Sequence, residues 1–236
     1  MSFRNPLRRR PTAGSTVPST ARSSTTGTLD LTPAVPESRQ HPAAVQVLVV
    51  CTANVSRSPL AAALINARCS TLDLDVFASS AGTRRTPTQS DQTAQALAAE
   101  LGVSYEDHRP RHLTPEILAE DGRDLVLCMT REHAREVVAS DPSAFARTFT
   151  LKEFVRLAGR QPSAPSLTAL VDRVGAGRQP RDLLGASELD DVTDPFGRSS
   201  TTYRTVVTEI ERLVDRFVAV LDSTLSCSPP PSRPTS

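Results

Sequence analysis

Between residues 45 and 222 the apolar positions switch between two periods, and the switching divides the chain into elements. Val45-Gln46-Val47-Leu48-Val49-Val50 is a largely β-branched run that stops at the polar segment Cys51–Ser58, which predicts a buried strand followed by a loop. From Pro59 to Arg68 the spacing turns helical, with Leu60, Leu64 and Ala67 on one face. Pro59 suits the first turn, where the N–H it lacks would have no helical partner. Leu74–Ala78 predicts a second strand, closed by Ser79-Ser80-Ala81-Gly82, and a helix over Gln92–Leu101 stops at Gly102. Thr114-Pro115-Glu116 opens a short helix, Asp124–Met129 is a third strand, residues 131–139 are helical, and Phe149–Leu151 gives a short fourth strand. Residues 160–190 are rich in Pro and Gly around a helix at 166–174 and read as a surface excursion. Val206, Ile210, Leu213, Val214, Phe217, Val220 and Leu221 recur at helical spacing and mark the last helix.

Strand–helix alternation implies an α/β fold, a parallel sheet with helices on both faces. Such sheets bind ligands outside the C-terminal ends of their strands, where the strand order reverses. The first strand ends at Cys51.

Composition separates this domain from its surroundings. The 236 residues are 38% hydrophobic, a modest share with an uneven distribution. Residues 1–44 carry Pro6, Pro11, Pro18, Pro33 and Pro36 among Ser, Thr and Arg, and residues 223–236 end in Cys-Ser-Pro-Pro-Pro-Ser-Arg-Pro-Thr-Ser. Neither stretch buries enough apolar surface to offset backbone ordering, so both are expected to be disordered tails around a domain at 45–222. The N-terminal tail is basic through Arg4, Arg8, Arg9, Arg10, Arg22 and Arg39, opposed by Asp30 and Glu37, and reads as a solvated tail. A formal net charge of +1 argues against nucleic acid as a partner. The tail lacks the apolar core of about 7–15 residues that a secretory signal needs. No segment approaches the ~20 apolar residues of a membrane span. The expectation is a cytoplasmic protein without an integral membrane segment. Lys152 is the sole lysine among 27 basic residues, a bias typical of GC-rich bacterial genomes.

Cys51, Cys69, Cys128 and Cys227 are too far apart for a zinc motif and too few for a disulfide scaffold, and no residue pattern suggests a cofactor. Cys69 and Cys128 fall in apolar elements and read as core residues, and Cys227 lies in the tail. Only Cys51 has neighbours suggesting chemistry. Cys51-Thr52-Ala53-Asn54-Val55-Ser56-Arg57-Ser58 has the form C-x5-R-S between a strand and a helix. The spacing alone is weak, but its context is informative. A loop entering a helix N-terminus turns successive N–H groups inward as an anion nest with the helix dipole behind it. A curl of this length sets the sulfur at the centre and returns Arg57 to the rim.

A phosphate monoester needs these parts. The reactive form of cysteine is the thiolate, which a helix N-terminus, a guanidinium and a hydroxyl all favour. Arg57 presents a planar fork to two phosphoryl oxygens, and Thr52–Ser58 supply donors around them. The leaving oxygen then needs a proton. In Asp190-Asp191-Val192-Thr193-Asp194-Pro195-Phe196-Gly197, just before the last helix, Asp194 is the candidate acid because proline stiffens the chain after it and an aromatic residue follows. Asp190 and Asp191 compete for that role.

The C-x5-R-S-P loop after the first strand, Ser80-Ala81-Gly82-Thr83 after the second, and Asp194-Pro195-Phe196 before the last helix together resemble the low-molecular-weight protein tyrosine phosphatase family across residues 45–222. The resemblance implies a four-stranded parallel sheet flanked by helices, a phosphocysteine intermediate and no metal. It implies Cys51 as nucleophile, Arg57 as clamp and Asp194 as acid. Asn54, Ser58, Ser80 and His108 would form the hydrogen-bond network that shapes the loop, with Phe196 as a substrate wall. The substrate would be a phosphorylated protein, most simply phosphotyrosine, with a tyrosine kinase as counterpart.

The sequence also departs from the family pattern. Ala53 stands where glycine is usual, which predicts strain or a shifted loop if that position needs positive φ. Ser56 replaces the second cysteine found in many members, so no disulfide switch is expected there. Val55 occupies the discriminating position, aliphatic in tyrosine-directed members and threonine in arginine-phosphate-directed ones. Arg84-Arg85-Thr86-Pro87 offers no aromatic wall and would instead favour an acidic substrate. Three other readings remain: a phosphoarginine phosphatase, an arsenate reductase on the same fold, which would need two further cysteines close in sequence, and a non-catalytic phosphate-binding regulatory protein.

Overall fold

The computed structural model describes residues 45–225 except 86–90, 123 and 162–163. The expectations for the tail at 1–44, for Cys227 and for Thr86-Pro87 lie outside the described residues. Four strands form one parallel sheet: β1 (Val45–Cys51), β2 (Val76–Gly82), β3 (Leu125–Cys128) and β4 (Thr148–Thr150), in the order β2-β1-β3-β4. The helices are α1 (Arg57–Thr71), α2 (Gln92–Glu100), α3 (Pro115–Asp121), α4 (Arg131–Ser140), α5 (Leu151–Ala158), α6 (Leu167–Gly175) and α7 (Ser200–Leu225). Because β2 and β3 flank β1 on opposite sides, the strand order reverses at β1 and opens a crevice at its carboxyl end.

The two-residue period of β1 sorts its side chains onto two cores. Val47, Val49 and Cys51 pack with Leu60, Leu64 and Ile65 of α1, Phe154 of α5, and Ile210 and Phe217 of α7. Leu48 and Val50 pack on the other face with Val126, Leu118 of α3, and Ala134 and Val137 of α4. All of Val47–Val50 are fully buried, so a one-residue register slip would move Cys51 off the crevice and break both cores.

Several boundaries differ from the expectations. β2 begins two residues later than expected and runs on through Ser79-Ser80-Ala81-Gly82, since pairing with β1 in register (Val49↔Ser80, Cys51↔Gly82) holds this polar stretch in the sheet. α5 was not expected; a capping box between Thr150 and Glu153 starts it. The 160–190 excursion is not superficial. Leu167, Leu170, Val171 and Val174 of α6 enter the core, and Arg178 donates to Glu153 at 2.8 Å while lying 4.0 Å above the Phe149 ring. α7 continues to Leu225, so 223–225 belong to the helix rather than to a tail. Among the described residues, no helix is long and apolar enough to cross a membrane.

Candidate active site

Cys51 is the last residue of β1, and the chain curls through residues 52–56 before Arg57 opens α1. The start of α1 has no capping side chain, because Ser56 makes no such bond, and no acidic residue in its first turn. Its orphan N–H groups and positive dipole end are therefore left for an anion. The sulfur sits inside the curl. Asn54 N donates to Cys51 Sγ at 3.3 Å, and Ser58 Oγ lies 2.9 Å from the same atom.

The curl is held by a network centred on Asn54, which is fully buried. Its Nδ2 donates to Ser58 Oγ at 3.0 Å and to Ser80 Oγ at 2.8 Å, and its Oδ1 accepts from Arg111 N at 3.0 Å. His108 Nε2 lies 2.9 Å from the Asn54 carbonyl, an acceptor, so that nitrogen carries the proton. Burial keeps the His108 ring below the usual histidine range, against the pull of that bond, with Arg111 and Arg109 acting in the same direction as burial. The left-handed residue of the loop is Asn54 (φ 55°), not Ala53. The strain expected at Ala53 is absent because the conformation that favours glycine falls one residue later, on a residue type that tolerates it.

Glycine is required elsewhere. A Cβ at Gly82 would meet Thr52 O at 2.8 Å and Ala53 C and Asn54 N at 3.0 Å. The end of β2 thus presses directly on the loop backbone, and only Gly82 permits that approach. Thr83 N and Arg84 N then donate to Cys51 O and Thr52 O, each at 3.0 Å.

Arg57, 3% exposed, faces three acceptors. Its Nη1 donates to Val192 O at 3.1 Å, and its Nη2 donates to Thr52 Oγ1 at 3.1 Å and to Asp194 Oδ2 at 2.5 Å. Its Nε is buried and has no hydrogen-bond partner. The segment 190–197 that carries Asp194 is anchored to the end of the sheet, where Val192 N donates to Met129 O at 2.8 Å. The competing aspartates are committed elsewhere. Asp190, 2% exposed, receives Arg131 at 2.6 Å and Arg156 at 2.8 Å. Burial opposes its ionisation, but these two arginines outweigh burial and hold it below the usual carboxylate range. Asp191 accepts from Arg131 N and Ser187 N. Asp194 is half exposed beside Arg57, and Phe196 N donates to its Oδ1 at 3.1 Å, with Phe196 71% exposed.

The structure therefore brings Cys51, Thr52, Asn54, Arg57, Ser58, Ser80, His108 and Asp194 into one connected set. Val55 and Ser56 are buried in the loop, and Ala53 is half-buried. Sequence reasoning missed three groups. Arg111 donates from Nε to Ser80 O at 2.8 Å and pairs with Asp121. Asp91 caps α2, donates from its N to Val55 O at 3.0 Å and accepts from the Tyr203 hydroxyl, tying the loop to α7. An aspartate directly before a helical run was the available signal for Asp91. His133, 4% exposed, lies 2.9 Å from Thr52 Oγ1 through Nε2 and 2.9 Å from Thr130 Oγ1 through Nδ1. Its signal was position: three residues after a threonine at the end of the third strand, at the same sheet edge as Cys51.

Cys51, Cys69 and Cys128 are free thiols. Burial pushes the Cys69 thiol up to about 11 and raises that of Cys128 as well, and Cys128 packs in the core on the sheet face opposite Cys51. No cluster of three or more His, Cys, Asp or Glu residues that could hold a metal ion occurs among the described residues.

The model of the low molecular weight phosphotyrosine protein phosphatase family matches residues 46–163. A protein-arginine-phosphatase of Geobacillus stearothermophilus is 28% identical over 182 residues, 75% of this chain and 97% of the relative. A low molecular weight protein-tyrosine-phosphatase of Escherichia coli K12 is 36% identical over 110 residues, 46% of this chain and 70% of the relative. Among solved structures, the low molecular weight protein tyrosine phosphatase of T. tengcongensis superposes with a TM-score of 0.56 at 30% identity, covering 75% of this chain and 99% of that one.

Proposed function

The chain belongs to the low molecular weight phosphotyrosine protein phosphatase family and is a phosphatase, and from that premise we propose that it hydrolyses protein phosphotyrosine through a phosphocysteine formed on Cys51. One observation supports the reading above all others: Arg57 is buried beside the Cys51 loop with Nε lacking a partner. A buried donor without an acceptor costs roughly 1–3 kcal/mol, a cost that a phosphoryl oxygen would remove.

In the proposed reaction, Cys51 Sγ attacks phosphorus while the loop N–H groups and the Arg57 guanidinium hold the equatorial oxygens. The S–P bond forms as the P–O bond to the leaving group breaks, and a protonated Asp194 gives its proton to the leaving oxygen. Water then attacks the phosphocysteine, Asp194 takes its proton, and phosphate leaves with the thiolate restored. Phosphorylated proteins are the substrates, a tyrosine kinase supplies them, and the cytoplasm is the proposed compartment.

Val55, buried and aliphatic in the loop, favours phosphotyrosine. The second reading, phosphoarginine, draws on the Geobacillus relative, which aligns over 97% of its length. Arsenate reduction is disfavoured because the other described cysteines are buried and raised in pKa. The test is a comparison of rates on phosphotyrosine, phosphoarginine and phosphoserine peptides, with arsenate as control. Cys51→Ser should abolish all turnover and still bind inorganic phosphate. Near-normal turnover by Cys51→Ser would remove the proposal.

A further inference from the structure

We propose that His133 is a positioning residue for the phosphate clamp, acting through the Thr52 hydroxyl to hold the Arg57 guanidinium in its binding orientation; this rests on the reading of Arg57 given above. Thr130 caps α4 directly beyond β3, and Met129 N donates to Val50 O at 2.8 Å, so the start of α4 stands at the same sheet edge as the Cys51 loop. That placement puts the His133 ring between two hydroxyls, one from the helix cap and one from the loop.

The ring is neutral. Burial first, then the charges of Arg57 and Arg84, push its pKa down to about 3. A neutral imidazole offers one donor and one acceptor, which matches two hydroxyl partners. A charged ring at this point would repel Arg57.

Thr52 Oγ1 has one hydrogen and two lone pairs. The contact with His133 fixes the hydroxyl torsion, and the β-branched side chain restricts χ1, so the oxygen is held as an acceptor for Arg57 Nη2 at 3.1 Å. Arg57 has two other acceptors. In the proposed reaction Asp194 must leave Arg57 to serve the leaving oxygen. Thr52 and the Val192 carbonyl then remain to keep the guanidinium plane facing phosphate, and only Thr52 is steered by a further side chain. A purely structural histidine would affect folding without being coupled to phosphate through Thr52.

The experiment uses the full chain and inorganic phosphate. Phosphate affinity is measured calorimetrically in the Cys51→Ser background, which separates binding from turnover, for His133→Ala, His133→Gln, Thr52→Val and the double variant His133→Ala with Thr52→Val. Folding is checked by circular dichroism and thermal midpoint. His133→Ala should weaken phosphate binding about tenfold, equivalent to ~1.4 kcal/mol. Thr52→Val should do the same, the double variant should bind no worse than Thr52→Val alone, and His133→Gln, which retains a donor and an acceptor, should recover most of the affinity. With Cys51 intact, the same variants should raise KM for an aryl phosphate and lower kcat. Unchanged phosphate affinity in His133→Ala, or losses that add in the double variant, would overturn the proposal. If His133→Ala does not fold, Thr52→Val and His133→Gln decide it: unchanged affinity in the first, or a full loss in the second, overturns it. Full turnover by Cys51→Ser would instead refute the phosphocysteine reading, while the phosphate-binding comparison would still judge His133.

Discussion

Arg57 Nη2 donates to Asp194 Oδ2 at 2.5 Å, joining the proposed clamp to the proposed acid across 137 positions of sequence. The pair is uneven, since Arg57 is 3% exposed and Asp194 47%. A half-exposed carboxylate costs little to desolvate and can leave, whereas the buried guanidinium keeps Val192 O and Thr52 Oγ1 as fixed acceptors. Asp194 thus occupies part of the donor set that a phosphoryl group would take.

Removing that carboxylate should have two opposite effects. Asp194→Asn should lower kcat on aryl phosphates by roughly a hundredfold or more, the usual scale for losing a general acid. The loss should grow with the pKa of the leaving phenol, which rates over a series of substituted phenyl phosphates would reveal. Inorganic phosphate should bind at least as tightly as to the parent, because the anionic competitor for Arg57 has gone. An equal rate loss across the series would point to a different acid.

Gly82 offers a test of how rigidly the loop is supported. The three nearest atoms to a Cβ there are backbone of Thr52, Ala53 and Asn54, which cannot swing aside as a flexible side chain could. Gly82→Ala should cost about 1–3 kcal/mol of stability, as overpacking does. Activity should suffer more, on the order of a hundredfold in kcat, because displacing the proposed catalytic loop by about 1 Å would be enough for such a loss. A variant with a lowered thermal midpoint and normal turnover would show that the loop accommodates the methyl group.

The sequence was most informative where one local rule acts alone. Val47–Val50 reads as a strand because its apolar run has no competing pattern, and C-x5-R-S at its end follows from the same junction. β2 lies later than its apolar run predicts, because Ser79-Ser80-Ala81-Gly82 has the composition of a turn and only pairing with β1 makes it strand. The 160–190 segment reads as superficial from its Pro and Gly content, whereas the apolar face of α6 enters the core and Arg178 pairs with Glu153 above Phe149, a long-range contact that no local period records. The same limit hid part of the site. Cys51, Arg57 and Ser58 lie within one motif, whereas Arg111, Asp91 and His133 reach the loop through tertiary contacts and carry no spacing signal relative to Cys51.

The loop conformation yields a prediction at Ala53. Since positive φ belongs to Asn54, glycine at position 53 relieves no strain. Ala53→Gly should leave kcat and KM on an aryl phosphate unchanged and cost about 0.4–1 kcal/mol of stability through the more flexible unfolded chain. Asn54→Ala should instead impair both activity and stability, since the left-handed backbone and the bonds to Ser58, Ser80 and Arg111 depend on this side chain. A marked gain in kcat for Ala53→Gly would show that the alanine does constrain the loop.

Burial of His133 makes stability pH-dependent in a defined direction. Its folded pKa lies at about 3, lowered by burial and then by Arg57 and Arg84, whereas an unfolded histidine titrates near ~6.5. Between those values the unfolded chain binds a proton that the folded chain refuses, so stability is full above about pH 6.5 and falls as the pH drops toward 3. From pH 7 to pH 5 this one group should cost about 2 kcal/mol. His108, also lowered, adds in the same direction. Asp190 contributes in the opposite sense of charge, and its ion pairs with Arg131 and Arg156 are lost only below the ordinary carboxylate range of about pH 4, outside this window. Urea unfolding at pH 7 and pH 5 should therefore show a difference in the parent that shrinks by about 2 kcal/mol in His133→Gln. If the variant keeps the whole difference, the ring is not the group that refuses the proton, and the neutral bridge between Thr52 and Thr130 cannot be maintained.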